Sequence, residues 1–135
     1  MNTALSLART TFTEETVGSA AQATHRQAIE ELIARDKNHP SVVLWSLANE
    51  PESNTEESVA YFESLFAAAR AADPTRPVGF VNMMLAPPDA CLLTALAAVT
   101  MVNRYYGWYL AAEDLQAAER NLEAELRAWA ARPDQ

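Results

Sequence analysis

The sequence predicts an α/β fold, with strands and helices alternating around a parallel sheet. Two observations carry this expectation. Three short runs, apolar on both faces, are separated by segments with helical periodicity, the pattern of βαβ units. The first run, Ser41–Ala48 (SVVLWSLA), lies between Pro40 and Pro51 and begins with β-branched residues, as strands buried on both sides do. With 135 residues, half of them hydrophobic, the chain has the size and apolar content of one domain with its own core.

Residues 1–18 have little periodicity and read as a poorly specified leader. From Ser19 the pattern turns helical: His25, Ala28, Ile29, Leu32 and Ile33 share one face. This helix is expected to end near Asn38, because Pro40 disfavours helical geometry at His39. After the Ser41–Ala48 strand, a helix is expected from Glu56 to Ala72, burying Val59, Phe62, Leu65, Phe66 and Ala69. Asp73-Pro74-Thr75-Arg76-Pro77 stops it, and Val78–Met83 reads as a second buried strand. Leu85–Ala90 is a loop, Cys91–Ala97 a short helical piece, and Ala98–Asn103 a third strand. A last helix, Glu113 to Ala131, places Leu115, Ala118, Leu122, Leu126 and Trp129 on one face. Periodicity alone does not separate an open sheet from a barrel.

A formal net charge of −8 argues against nucleic acid, whose phosphates require clustered Lys and Arg. No apolar run approaches the roughly 20 residues of a membrane span. Cys91 is the single cysteine, so no internal disulfide forms, and no metal-ligand spacing surrounds it. The N-terminus reads poorly as a signal peptide, and a cytoplasmic location is the expectation. With three glycines in all there is no Gly-rich phosphate loop; neither cofactor nor metal is expected.

Polar residues gather at the C-terminal ends of the strands: Asn49 and Glu50, then Asn82, then Asn103 with Tyr105 and Tyr109. In α/β barrels that end carries the active site. A carboxylate beside a carboxamide, opposed by aromatics, suits sugar chemistry: the amide orients a hydroxyl and the rings cover apolar sugar faces. A partly desolvated Glu is also fit for general-acid work. Each feature has a plainer reading. Asn-Glu before a proline also suits a turn and helix start; the Tyr/Trp cluster also suits packing. His25 and His39 read as structural, Cys91 as a small buried hydrophobe, and Glu52, Glu56 and Glu57 as a solvated helix N-terminus.

Ala34–Glu52 (ARDKNHPSVVLWSLANEPE) resembles the signature of glycoside hydrolase family 2. Asn103–Tyr109 (NRYYGWY), followed by Asp114–Trp129, resembles its β-glucuronidase branch, and Asp73–Asn82 (DPTRPVGFVN) fits in the correct order. The likeness runs from about Phe12 to Trp129. It implies that residues 19–135 form part of a (β/α)8 barrel, about strands four to six with flanking helices. By the same resemblance Glu50 is the general acid/base, Asn49 the amide that binds the sugar 2-hydroxyl, and Asn103, Tyr105 and Tyr109 line the sugar subsite. Tyr105 would partner the nucleophile, and Trp108 would support the motif by packing.

The TEYG-type segment that supplies the nucleophile in the family, and the Asn-x-Lys motif that reads the glucuronate carboxylate, have no counterpart in this sequence. The resemblance therefore implies a glycosidase acting on a β-glucuronide or related glycoside, carried here as a piece with the acid/base but no nucleophile, and inactive alone. The alternative is a non-catalytic half-barrel. An open half-barrel exposes sheet edges, so either reading expects self-association or a complementary barrel fragment.

Overall fold

The computed structural model describes residues 12–132. In chain order they form α1 (Ala20–Asp36), β1 (Trp45–Asn49), α2 (Glu56–Ala72), β2 (Val78–Asn82), a 3-10 turn (Leu93–Leu96), β3 (Val99–Val102) and α3 (Leu115–Ala130). The three strands form one parallel sheet in the order β1-β2-β3. The α/β class is therefore as expected, in the form of a three-stranded parallel piece. Residues 1–11 of the expected leader lie outside the described residues; Phe12, its next residue, is buried in the core against Tyr61 and Phe62.

Local chemistry explains the helix boundaries. The Ser19 hydroxyl accepts from the Gln22 N–H, Thr55 from Ser58, and Asp114 from Ala117, so each helix begins on a capping oxygen. Glu56 and Glu57, exposed in the first turn of α2, complement the positive end of its dipole. The core lies between α1, α2 and one face of the sheet. Phe62, Leu65, Phe66 and Ala69 of α2 are fully enclosed there with Val78 and Phe80 of β2, and Ile29 and Ile33 of α1 join them. Ala28, expected on the buried face of α1, is exposed; Gln22 is buried instead, its amide donating to the Tyr61 carbonyl at 2.7 Å.

β1 begins later than expected. Val42 N–H closes a turn onto the His39 carbonyl, and Val43 is 71% exposed, so Ser41–Leu44 is not strand. Arg76 and Asp73 fix where β1 starts. Asp73 accepts from the Trp45 indole at 3.0 Å, from the Thr75 amide at 2.9 Å, and from Arg76 at 2.8 Å. Arg76 donates in turn to the Val42 carbonyl at 2.7 Å. The Thr75 hydrogen bond foremost, with those from Trp45 and Arg76, holds the buried Asp73 carboxyl far below the usual carboxylate range. The motif read as a helix stop thus also ties α2, β1 and β2 together.

α3 departs from its expected packing. Ala118 and Trp129 are buried, but Leu115 is 73% exposed and Leu126 45%. The apolar stripe straddles the contact, with half of it turned to solvent.

β2 and β3 approach so closely at Gly79, paired with Val99, that a Cβ at Gly79 would stand 2.1 Å from the Val99 carbonyl oxygen. Only a residue without a side chain fits. Gly79→Ala should separate the strands and destabilise the fold by about 1–3 kcal/mol, read as a lower urea midpoint; an unchanged midpoint would refute the contact.

Candidate functional site: the tips of β1 and β3

The carboxyl end of β1 is shaped by a bulge. Ser46 pairs with Gly79 and Asn49 with Val81, so three steps along β1 match two along β2. The extra residue reverses the alternation of faces. Trp45 and Leu47 point into the helix-covered core, and in a regular strand Asn49 would follow them. Its pairing with Val81 turns it to the other face instead. There it meets β3, whose register with β2 places Met101 opposite Val81 and carries Asn103 to the same side. The Asn103 amide donates to Asn49 Oδ1 at 3.3 Å.

Glu50 follows with φ +52°, in the left-handed region, its N–H held by the Val81 carbonyl at 2.8 Å. A non-glycine residue there is strained, the more so before Pro51. The conformation takes the half-buried carboxylate out of the strand line and toward the loop after β3, where the Tyr105 hydroxyl donates to Glu50 Oε1 at 2.8 Å. That hydrogen bond, followed by desolvation, raises the Tyr105 phenol above its ordinary value, so it remains a donor.

The loop itself is a tight turn. Trp108 and Tyr109 N–H groups both donate to the Tyr105 carbonyl at 3.0 Å, and Gly107 adopts φ +81°. Tyr109 stands edge-on to Tyr105, ring centroids 5.3 Å apart, and is 71% exposed, so its ring faces solvent next to the tyrosine that binds the carboxylate. Trp108 is 73% exposed and touches the motif edge-on at Tyr109.

Asn49, Glu50, Asn103, Tyr105 and Tyr109 thus converge, while Asn82 does not join them. It is fully buried, its amide donating to the Ala86 carbonyl at 3.1 Å and its Oδ1 accepting from Arg104 at 2.8 Å. Arg104 itself escaped the sequence reading. Its side chain is 5% exposed and pairs with Glu125 of α3, which also accepts from the Tyr106 hydroxyl at 2.9 Å and the Trp129 indole at 3.2 Å. The signal available was Glu125 itself, one turn before Trp129 on the expected buried stripe.

The remaining candidates are structural. His25 lies between α2 and β1: Nε2–H donates to the Leu47 carbonyl at 3.2 Å, and Nδ1 accepts from the Tyr61 hydroxyl at 3.3 Å. Burial lowers its pKa, favouring this neutral form. His39 is exposed and Cys91 is buried against Ser53 and Thr94. Among the described residues no group of three or more His, Cys, Asp or Glu is arranged to hold a metal.

The model of the family described as glycosyl hydrolases family 2, TIM barrel domain, matches residues 1–135. The chain belongs to this family. Among family 2 relatives, β-glucuronidase of Streptococcus agalactiae is 48% identical over 109 residues, covering 80% of this chain and 18% of that protein. The Mus musculus β-glucuronidase is 38% identical over 115 residues, covering 85% and 17%. The crystal structure of Ruminococcus gnavus β-glucuronidase superposes with a TM-score of 0.84 at 38% identity, over 93% of this chain and 22% of that one. A Ruminococcus gnavus β-glucuronidase in complex with D-glucuronic acid gives 0.77 at 39%, over 82% and 19%. The chain is thus β-glucuronidase-like within family 2, a partial barrel spanning about a fifth of the length of these relatives.

The strain at Glu50 is measurable without any activity. Glu50→Ala and Glu50→Gly both remove the carboxylate, so their difference reports the backbone alone. The glycine variant should be the more stable by about 1 kcal/mol, the reverse of the usual order. Urea unfolding that finds alanine equal or better would refute a left-handed Glu50.

Proposed function

We propose that this chain is the acid/base-bearing part of a retaining β-glucuronidase-type glycosidase barrel, with Glu50 as general acid and base. The observation that carries the reading is the Glu50–Tyr105 hydrogen bond at the parallel strand tips, beside the Asn49–Asn103 pair. Glu50 protonates the departing aglycone oxygen, then takes a proton from water as the sugar is released. Asn49, oriented through its Oδ1, donates its own amide to the sugar 2-hydroxyl. Asn103, Tyr105 and Tyr109 line the subsite, the exposed Tyr109 ring offering a face to the pyranose. Support for a glucuronide as substrate comes from the relatives' likeness, including one bound to D-glucuronic acid.

Retention of configuration requires a second carboxyl roughly 5–5.5 Å from the first. Three carboxylates of the last helical segment have other work, and Glu113 and Glu119 are exposed. Asp114 caps α3, Glu123 pairs with Arg127, and Glu125 pairs with Arg104. We therefore assign the nucleophile to a segment outside these residues, with Tyr105 as its hydrogen-bond partner by the family resemblance. The 135-residue chain alone should give no hydrolysis of p-nitrophenyl-β-D-glucuronide above background. In a barrel completed with the remaining strands, Glu50→Gln should lower kcat by about 10²–10⁴-fold. Equal activity of the variant would overturn the assignment, and turnover by the short chain would overturn its inactivity.

A second reading concerns assembly. Among the described residues, β1 and β3 each have one strand neighbour, and an apolar groove lined by Ile29, Leu32, Ile33 and Trp45 runs along the β1 side. Exposed sheet edges beside apolar surface favour association, with a second copy or with complementary barrel strands. Sedimentation of the isolated chain should give dimers or larger species; a monodisperse, cooperatively melting monomer would contradict this.

A further inference from the structure

Arg104 lies between Asn103 and Tyr105, the two residues that reach across to Asn49 and Glu50, yet its own side chain turns away from them. Each nitrogen of its guanidinium is engaged. Nε donates to Glu125 Oε1, Nη2 donates to Asn82 Oδ1 at 2.8 Å, and Nη1 donates to the Asn103 carbonyl at 2.7 Å and the Asn82 carbonyl at 3.4 Å. The Trp129 ring covers one side, its centroid 5.8 Å from the guanidinium carbon. One planar fork therefore joins the tip of β2, the tip of β3 and the middle of α3. A lysine, with one nitrogen, cannot span these partners.

We propose that Arg104 is a positioning residue of the sugar site: it fixes Asn103 and Tyr105 opposite Asn49 and Glu50 without touching substrate. This rests on the role given to Glu50 above. Among the described residues β3 is a short edge strand of four residues, none of them fully buried. The apolar core holds β1 and β2 more firmly than β3. The loop that carries Tyr105 is held to β2 through Asn82 and to α3 through Glu125, and Arg104 is common to both attachments. Glu125 adds a direct hold on the same loop by accepting from Tyr106. Without the fork, the Asn103 carbonyl loses its restraint and the Tyr105 hydroxyl no longer stays within reach of Glu50.

The test reads geometry rather than turnover. Tyrosines of the full chain are labelled at 13Cζ and titrated by NMR, with Tyr105→Phe identifying the Tyr105 signal. In the unsubstituted chain Tyr105 should titrate above an ordinary tyrosine, and Glu50→Gln should lower it by removing the largest cause of the excess. Arg104→Met leaves Glu125 buried without its partner, so the fold itself is at risk. The double variant Arg104→Met/Glu125→Met removes both charges together and serves as the second probe. In the folded double variant Tyr105 should fall as it does in Glu50→Gln, while Tyr61, remote from the network, titrates as before. An undiminished Tyr105 value in a folded double variant would overturn the role of Arg104 alone. An ordinary Tyr105 titration in the unsubstituted chain would overturn the Glu50–Tyr105 pairing, and this proposal with it.

Discussion

β2 is hydrogen-bonded to a parallel strand on each side, and its register determines how far β1 and β3 extend past it. On one side Gly79 admits β3 to a distance that no side chain would permit. On the other, the Val81 carbonyl holds the Glu50 amide just beyond the end of β1. The Asn82 carbonyl receives the Asn103 amide in the corresponding place on β3. Two consecutive carbonyls of one strand thus set the starting points of both halves of the site. The distance from Tyr105 to Glu50 follows from that arrangement, since each side chain leaves a backbone already anchored to β2.

Much of the fold was legible because it follows from burial. The bounds of α2 are those its stripe predicts, with Thr55 and the Asp73-Pro74 break marking its ends. The site residues were legible as polar groups at strand tips, and resemblance then gave them roles. Less visible was anything that depends on a distant partner. Val42 and Val43 read as strand by type, but Arg76, more than thirty positions later, claims the Val42 carbonyl for a turn. Leu115 and Leu126 belong to an apolar stripe, and periodicity does not say how much of a stripe is covered. The left-handed Glu50 could not be read either, because the preference of a residue before proline points elsewhere. Such a local conflict, upheld by its surroundings, is common where chemistry is done.

The two sides of the site are held by different forces. β1 rests on an apolar core through Trp45 and Leu47, with Asp73 satisfying the indole. The Tyr105 side is held mainly through directed contacts among Arg104, Asn82, Glu125 and Tyr106. Apolar burial tolerates small displacements, whereas a buried charged fork loses much of its strength when its angles change. An arrangement of this kind places the carboxylate on the more tolerant support and its hydrogen-bond donor on the more exacting one.

The bulge in β1 makes the ASN-to-GLU tip a matter of parity. Before it, odd-numbered side chains belong to the core; after it, Asn49 belongs to the opposite layer. A one-residue deletion between Ser46 and Asn49 would remove the bulge and leave Asn49 opposite Val81, whereas a regular strand of unchanged length would turn it into the core. In the segment from Trp45 to Pro51 the number of residues and the irregularity therefore belong together: one more or one fewer is tolerated only if the bulge comes or goes with it.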